Sequence, residues 1–340
     1  MRAAKSFGLC VVWLGALCAA PALAQQAPIP IEVSLGDVSL NKVPFLVAAD
    51  EGIYAKHGLA VHQYITPYAA DKARHQGITV PDEYVKDDTL DDAHIAVGGG
   101  TPMIVRTVRD ARATDRVIIA TFENRVRDHI IAGPNIRTLE DIRGRRLGFS
   151  GDGAVTHLAA VAFVRMMGWN EQYDVSMIGN ANAPFAILEG KVDAFVGSAL
   201  VQSLALQQNL TDLVDMSQWE IPIAGSGLNA ERNWLRENRE AARRFVMASI
   251  EVTALIKEDK QSFIDAMVKW FNITDEETQD IMYDHALDLP RVPYPAVDGI
   301  VKTMEVYDFR EMHRRQPSDF YDDSIVRELE QSGFIAALYE

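Results

Sequence analysis

Cysteine is nearly absent from this chain, which has only Cys10 and Cys18, both close to its N-terminus. The rest of the sequence holds no thiol, and this excludes a disulfide scaffold, a thiolate metal centre and a cysteine nucleophile. Basic charge is scarce as well, with 33 Lys+Arg against 48 Asp+Glu and a formal net charge of −15 over 340 residues. Nucleic acid and anionic membrane surfaces both need a basic footprint, so neither is an expected partner. An anionic small molecule stays open, because backbone N–H groups at a helix start bind an anion locally whatever the net charge. The chain also lacks a Gly-x-x-x-x-Gly-Lys phosphate loop, a nucleophile motif and clustered metal-ligand spacing. No catalytic residue, metal or cofactor is therefore expected.

Long apolar runs are missing too. The longest, Phe7 to Ala20, falls short of the roughly 20 residues a membrane helix needs. Arg2 and Lys5 precede it, and Pro21 and the triplet Ala22-Leu23-Ala24 follow. A charged start, a short apolar core and an A-x-A site describe a signal peptide, residues 1–24, cleaved after Ala24. The expected product is an exported, periplasmic chain beginning at Gln25. Leu9 and Leu17 stand before the two cysteines, where a lipid-attachment site has a small residue, so no lipid anchor is expected.

What is present is a regular alternation of β-rich runs and amphipathic stretches, the pattern of α/β sheets with crossover helices. Strands are predicted at Ile31–Leu35, Ala60–Ile65, His94–Val97, Val117–Thr121, His129–Ala132, Arg146–Ser150, Val175–Ile178, Val192–Val196 and Leu213–Met216. Helices are predicted over Val43–Lys56, Met103–Ala111, Val155–Met167 and Ala199–Gln207, with mostly helical chain from Asn229 onward. Thr138 with Asp141, and Thr274 with Glu277, read as capping boxes. The stretch 66–92 is unusually polar and reads as a solvated insertion or a lid.

Four stretches resemble the type II periplasmic binding proteins, in the branch that includes nitrate, sulfonate, taurine and thiamine-precursor binders. They are VPFLVAADEGIYAKHGLAV (Val43–Val61), AHIAVGGGTP (Ala93–Pro102), IRTLEDIRGRRLGFSGDGAVTHL (Ile136–Leu158) and LEGKVDAFVGS (Leu188–Ser198). The resemblance implies a two-lobe α/β fold, each lobe a mostly parallel sheet flanked by helices, with a cleft and hinge between them. Lobe one would hold residues 25–124 and 226–340, and lobe two 125–225, with crossings near Phe122–Asp128 and Pro222–Leu228. It implies a non-enzymatic solute-binding protein that captures a small anionic or aromatic solute by hinge closure and delivers it to an ABC transporter permease. A sensory binding protein feeding a membrane receptor is one alternative, and a biosynthetic enzyme on the same fold is another. The cysteine-rich motif of the fungal pyrimidine-forming relatives is absent, and export separates the chain from a cytoplasmic cofactor supply.

The expected ligand site is built from loops at helix starts. Gly99 and Gly100 let the backbone turn so that N–H groups near Thr101, with its hydroxyl, face the cleft. Gly153 does the same for Ala154, Val155 and Thr156 across it, and the two helix starts would cradle a carboxylate or sulfonate. The resemblance adds the loop after the first strand, with Ser39, Leu40 and Asn41. Asn182 and Ser198 stand beside helix starts, where contact with the ligand and capping are equally good readings. Phe45, Phe122, Phe185 and Trp219 are candidate apolar walls, though core packing accounts for each singly. Arg106, Arg125, Arg127 and His157 read as surface residues by default.

Overall fold

A computed structural model describes residues 27–36, 39–75, 78–87, 93–110, 113 and 115–340. The signal peptide with its cleavage site, and Asp37 and Val38, lie outside the described residues. Ten strands are described: β1 (Ile29–Ser34), β2 (Leu59–Tyr64), β3 (Ile95–Val97), β4 (Arg116–Arg125), β5 (His129–Ala132), β6 (Arg146–Gly148), β7 (Ser176–Ile178), β8 (Ala194–Gly197), β9 (Thr211–Asp215) and β10 (Pro222–Glu231). They form two five-stranded sheets, ordered β2-β1-β3-β10-β4 and β7-β6-β8-β5-β9. In the first sheet β1 runs parallel to β2 and β3, while β10 is antiparallel to β3 and β4. The second sheet repeats that plan, with β6 parallel to β7 and β8, and β5 antiparallel to β8 and β9. Helices flank both sheets, so the expected α/β class holds, with each sheet mixed.

Parallel strands need cover on both faces. The helix Arg239–Glu258 supplies part of it, burying Phe245, Val246, Ile250, Val252 and Ile256 in the core that holds Ile31 and Val33 of β1. Each such side chain contributes roughly 1.5–3 kcal/mol on burial. Inside the first sheet, Arg116 is 2 % exposed and ties β4 to β10 and to the chain entering β3. Its Nε donates to Asn229 Oδ1 at 2.7 Å, and its two terminal nitrogens donate to Ala93 O at 2.9 Å and Asn229 O at 3.1 Å.

Two short segments join the sheets. β4 ends at Arg125 and β5 begins at His129; β9 ends at Asp215 and the chain returns through β10. The segments are tied where Val126 N donates to Ile221 O at 2.9 Å. The helix Val297–Val306 packs on β10 and against the helices Gly100–Arg109 and Val155–Met166. A second core follows from this packing, shared by both sheets and containing Ile104, Ile118, Leu158, Ile223, Ile300 and Phe320.

Several local expectations are corrected. The chain from Pro222 to Glu231 carries no strand pattern in the sequence, yet as β10 it pairs with both β3 and β4 in the first sheet. The helix expected over Val43–Lys56 is two pieces, Val43–Asp50 and Ile53–Lys56, separated by left-handed Gly52. Thr138 and Asp141 do form a capping box. At the other proposed box the cap is Asp275, which accepts from Thr278 N at 2.8 Å. In the polar stretch, Pro67–His75 is helical, and Thr66, Tyr68, Ala69 and Ala73 border the interior cavity.

Candidate functional site

A cavity of about 540 Å³ lies where the two sheets and the C-terminal helices meet. The first sheet reaches it through the loop after β1, the start of the helix Gly100–Arg109 and the ends of β4 and β10. The second contributes the loop after β6 and the segment after β8, and Phe263, Met282 and Leu289 form an apolar wall from the C-terminal part.

Eight of the twelve expected site residues border this cavity: Ser39, Asn41, Gly99, Ala154, Val155, Thr156, Asn182 and Ser198. Gly100, Thr101 and Gly153 do not. Gly100 is pressed against β10, where a Cβ would lie 2.3 Å from Ala224 O. Thr101 is fully buried, and its hydroxyl pairs at 3.1 Å with that of Thr303, which donates to Gly299 O. It fastens two helices and does not face a solute. Gly153 has φ +82° and packs toward Val105, 3.4 Å from the position of a Cβ. Leu40 opens a short 3-10 turn, and its side chain lies outside the described residues.

Among the aromatic candidates only Phe122 borders the cavity, with Phe45 edge-on behind it at 6.0 Å. Phe185 is exposed, and Trp219 stacks on Phe163 in the second core. His157 stacks on Phe149 with ring centroids 4.3 Å apart, and Arg106 also lies off the cavity. Arg125 and Arg127 border it, each held by a carboxylate: Arg125 by Asp298 and Arg127 by Asp288, both at 2.9 Å.

The helices starting at Gly100, Val155 and Ala199 share one feature: no side chain caps any of them. Their flanking residues Gly99, Ala154 and Ser198 all border the cavity. Unpaired first-turn N–H groups at Val155 and Ala199 thus point to this space, whereas the helix from Gly100 borders it only through Gly99 and Pro102, which as a proline has no N–H. The Thr156 hydroxyl is held by Ser150, accepting from its backbone N–H at 3.0 Å and sharing a 2.6 Å hydrogen bond with its hydroxyl.

Sequence reasoning missed the charged floor of the cavity, formed by Lys42, Glu123, Asp128 and His285. Lys42 is buried and donates to Val97 O at 2.9 Å. Burial raises the Glu123 carboxyl, opposed by Arg127, Lys42 and a hydrogen bond from Asn41. Burial, reinforced by repulsion from Glu123, raises the Asp128 carboxyl to about 7. Burial lowers the His285 imidazole, helped by Arg127. One signal was available in the sequence: Glu123 and Asp128 stand in the polar segment between the apolar runs Val117–Ala120 and Ile130–Ala132.

A profile of the NMT1/THI5-like family matches residues 39–262. Among curated proteins nothing matches the chain at a significant level. Among solved structures the chain is similar to the periplasmic aliphatic sulphonate-binding protein SsuA from Escherichia coli. The two are 16 % identical, with TM-score 0.61, over 85 % of this chain and 94 % of that one. The periplasmic nitrate-binding protein NrtA from Synechocystis PCC 6803 is similar at 14 % identity and TM-score 0.67, over 90 % and 89 % of the two chains. The desulfurization enzyme DSZB shares 12 % identity with TM-score 0.62, over 89 % and 99 %. At such identities the likeness is one of fold, that of the periplasmic binding proteins. The family match runs from the loop after β1 past the end of β10 and covers more than half of the sequence, so this chain belongs to the NMT1/THI5-like family.

Proposed function

We propose that this chain is an exported, periplasmic solute-binding protein, which takes a small organic solute with an acidic group into its cavity and hands it to an ABC transporter permease. Residues 25–124 with 226–340 form one lobe and 125–225 the other, and the lobes hinge about the two connecting segments. The observation that carries this reading is the convergence of two uncapped helix starts, at Val155 and Ala199, on one cavity that the first sheet borders through Ser39, Asn41 and Gly99. Such donors are fixed in place and need no reorganisation to receive a carboxylate or sulfonate. Ser39, Asn41, Asn182 and Ser198 add polar contacts at the rim, while Phe122, Phe263 and Met282 take the apolar part of the solute. Closing the lobes over the solute then produces the surface a permease reads, because a ligand shifts the balance toward the state it binds better. The similarity to sulphonate- and nitrate-binding proteins supports the transport role, and the convergent backbone donors favour binding over catalysis.

A thermal-shift screen against carboxylates, sulfonates, nitrate, aromatic acids and pyrimidines tests this. A solute at about 100 times its Kd adds about 2.7 kcal/mol of stability. Stabilisation by at least one acid, recovered unchanged afterwards, is the expected outcome. Turnover of a compound, or no stabilisation across the panel, would sink the reading.

A further inference from the structure

The loop through which β6 reaches the cavity is pinned at two points. One is the Thr156 hydroxyl, which holds Ser150. The other is His157 Nδ1, which meets Gly153 N of the loop at 3.2 Å and Tyr307 Oη, just past the helix Val297–Val306, at 3.2 Å. A backbone N–H only donates, so Nδ1 is the bare ring nitrogen, the neutral ring carries its proton on Nε2, and the Tyr307 hydroxyl donates as well. Phe149 stacks on one side of the ring, and Tyr307 approaches it edge-on with centroids 5.6 Å apart.

The helix that presents Tyr307 is mounted on the first sheet. A Cβ on Gly299 would lie 1.9 Å from Ile223 O on β10, and the Thr303 hydroxyl pairs with that of Thr101. Tyr307 itself is 5 % exposed. Its contact with His157 therefore carries a fixed point of the first sheet onto a loop of the second. Ala154, Val155 and Thr156, which border the cavity, lie directly between the two ends of that contact in the chain, Gly153 and His157.

Charged and titratable groups face the ring from each element packed around it: Asp152 in its own loop, Glu171 beyond its own helix, Arg109 at the end of the helix Gly100–Arg109, and Tyr307. Burial lowers the imidazole from its ordinary value, helped by Arg109 and opposed by Asp152 and Glu171. Burial raises the Tyr307 hydroxyl, which keeps its proton. The contact is thus complete at neutral pH and is lost as pH falls through the lowered histidine value. A proton on Nδ1 turns the shared acceptor into a donor that confronts the Gly153 N–H, which cannot accept.

We propose that His157, Gly153 and Tyr307 form a proton-released clasp: neutral, it holds the loop 150–154 against the helix Val297–Val306, and protonated, it frees the loop and loosens one wall of the cavity. The proposal rests on the solute-binding reading above for what that wall does, and it names a regulation of the same site. His157 borders no part of the cavity, so it is a positioning residue that acts through the loop and the helix start at Val155.

Amide hydrogen exchange of the ligand-free protein, followed from about pH 8 to about pH 4.5 and corrected for the chemical exchange rate, spans the ordinary histidine range. Protection of residues 151–158 is expected to fall about five-fold or more as pH drops, the value of roughly one hydrogen bond. The helix Arg239–Glu258 should keep its protection. In His157→Asn the amide oxygen stands in for Nδ1 and takes no proton in this range, so the loop's protection should no longer follow pH. Asp128, raised to about 7, titrates alike in parent and variant, and the difference between them belongs to His157. Tyr307→Phe should lower the loop's protection at neutral pH. A parent loop equally protected at both ends of the range, or one that loosens equally in His157→Asn, would overturn the clasp. Where that variant folds poorly, the ring-nitrogen shifts of His157 in the parent decide: they must titrate together with the exchange, and a mismatch overturns the clasp as well. A thermal-shift screen without a hit would remove the solute-binding reading and leave the exchange result standing by itself.

Discussion

Arg127 Nη1 lies 2.9 Å from Asp288 Oδ2, and this ion pair joins the segment linking the two sheets to the end of the helix Glu276–Leu287. That helix packs through Met282 and Ala286 into the core of the first sheet, so the pair braces the link at the mouth of the cavity. Both partners keep contact with solvent, at 28 % and 56 % side-chain exposure, and such pairs are worth about 1 kcal/mol or less. Asp288→Asn is therefore expected to lower stability by less than about 1 kcal/mol at low salt and by less still in high salt. Urea unfolding at two salt concentrations checks both values.

Asp128 sets a pH dependence with a definite sign. Its carboxyl is raised from 3.8 to about 7 by burial and by Glu123, with His129 as the opposing charge. Between those values the folded chain holds a proton the unfolded chain has lost, so stability falls as pH rises through that window. Glu123, also raised, acts in the same direction. Asp128→Asn removes the Asp128 contribution. The variant should match the parent near pH 4 and exceed it by a few kcal/mol above about pH 7, as measured by denaturation at the two ends of the window.

Gly225 lies at an irregularity in the β4–β10 ladder, beside Ser226. Its φ is +82°, and a Cβ there would lie 2.0 Å from Glu123 O and 2.6 Å from Thr121 Cγ2. The conflict is with backbone, which no rotamer change relieves. Gly144 provides the comparison, having a similar φ of +78° with nothing within 4 Å. Gly144→Ala should cost about 1 kcal/mol, the left-handed backbone penalty alone, and Gly225→Ala more than about 2 kcal/mol with a displaced Glu123. Equal losses in thermal unfolding would show that the close approach carries no energy.

These residues also mark where the sequence was legible. Strands such as β4 and β5 announce themselves through Val and Ile runs, and the loops at Gly99 and Ala154 through glycines ahead of helical periodicity. β10 reads PIAGSGLNAE, with proline, two glycines, serine and asparagine where β-branched residues would signal a strand. It is a strand because it pairs on both sides, and its glycines are explained by close approach: a Cβ on Gly227 would lie 2.2 Å from Ala120 O. That requirement belongs to tertiary contact and leaves no periodic trace. The acidic floor escaped for the same reason, since Glu123, Asp128 and Ser226 converge only after two separate crossings of the chain. Thr101 failed in the opposite sense: its position at a helix start was readable, but its burial against Thr303 was not.

The anion-binding role of the helix starts is testable by removing N–H groups without removing side-chain charge. Val155 and Ala199 are the first residues of their helices, and each follows a residue in extended conformation, Ala154 with ψ 163° and Ser198 with ψ 168°. Proline fits the first helical position, where its missing N–H breaks no helical hydrogen bond, and an extended preceding residue suits it. Val155→Pro and Ala199→Pro should therefore change the thermal midpoint little. Each deletes one donor at the cavity, and the loss of a hydrogen bond to a charged group costs about 1.5–3 kcal/mol. An acid that stabilises the parent should bind about ten-fold or more weakly to either variant, while a neutral solute of the same shape should be unaffected. Unchanged acid affinity in both would mean that the helix starts are uncapped for some reason other than holding an anion.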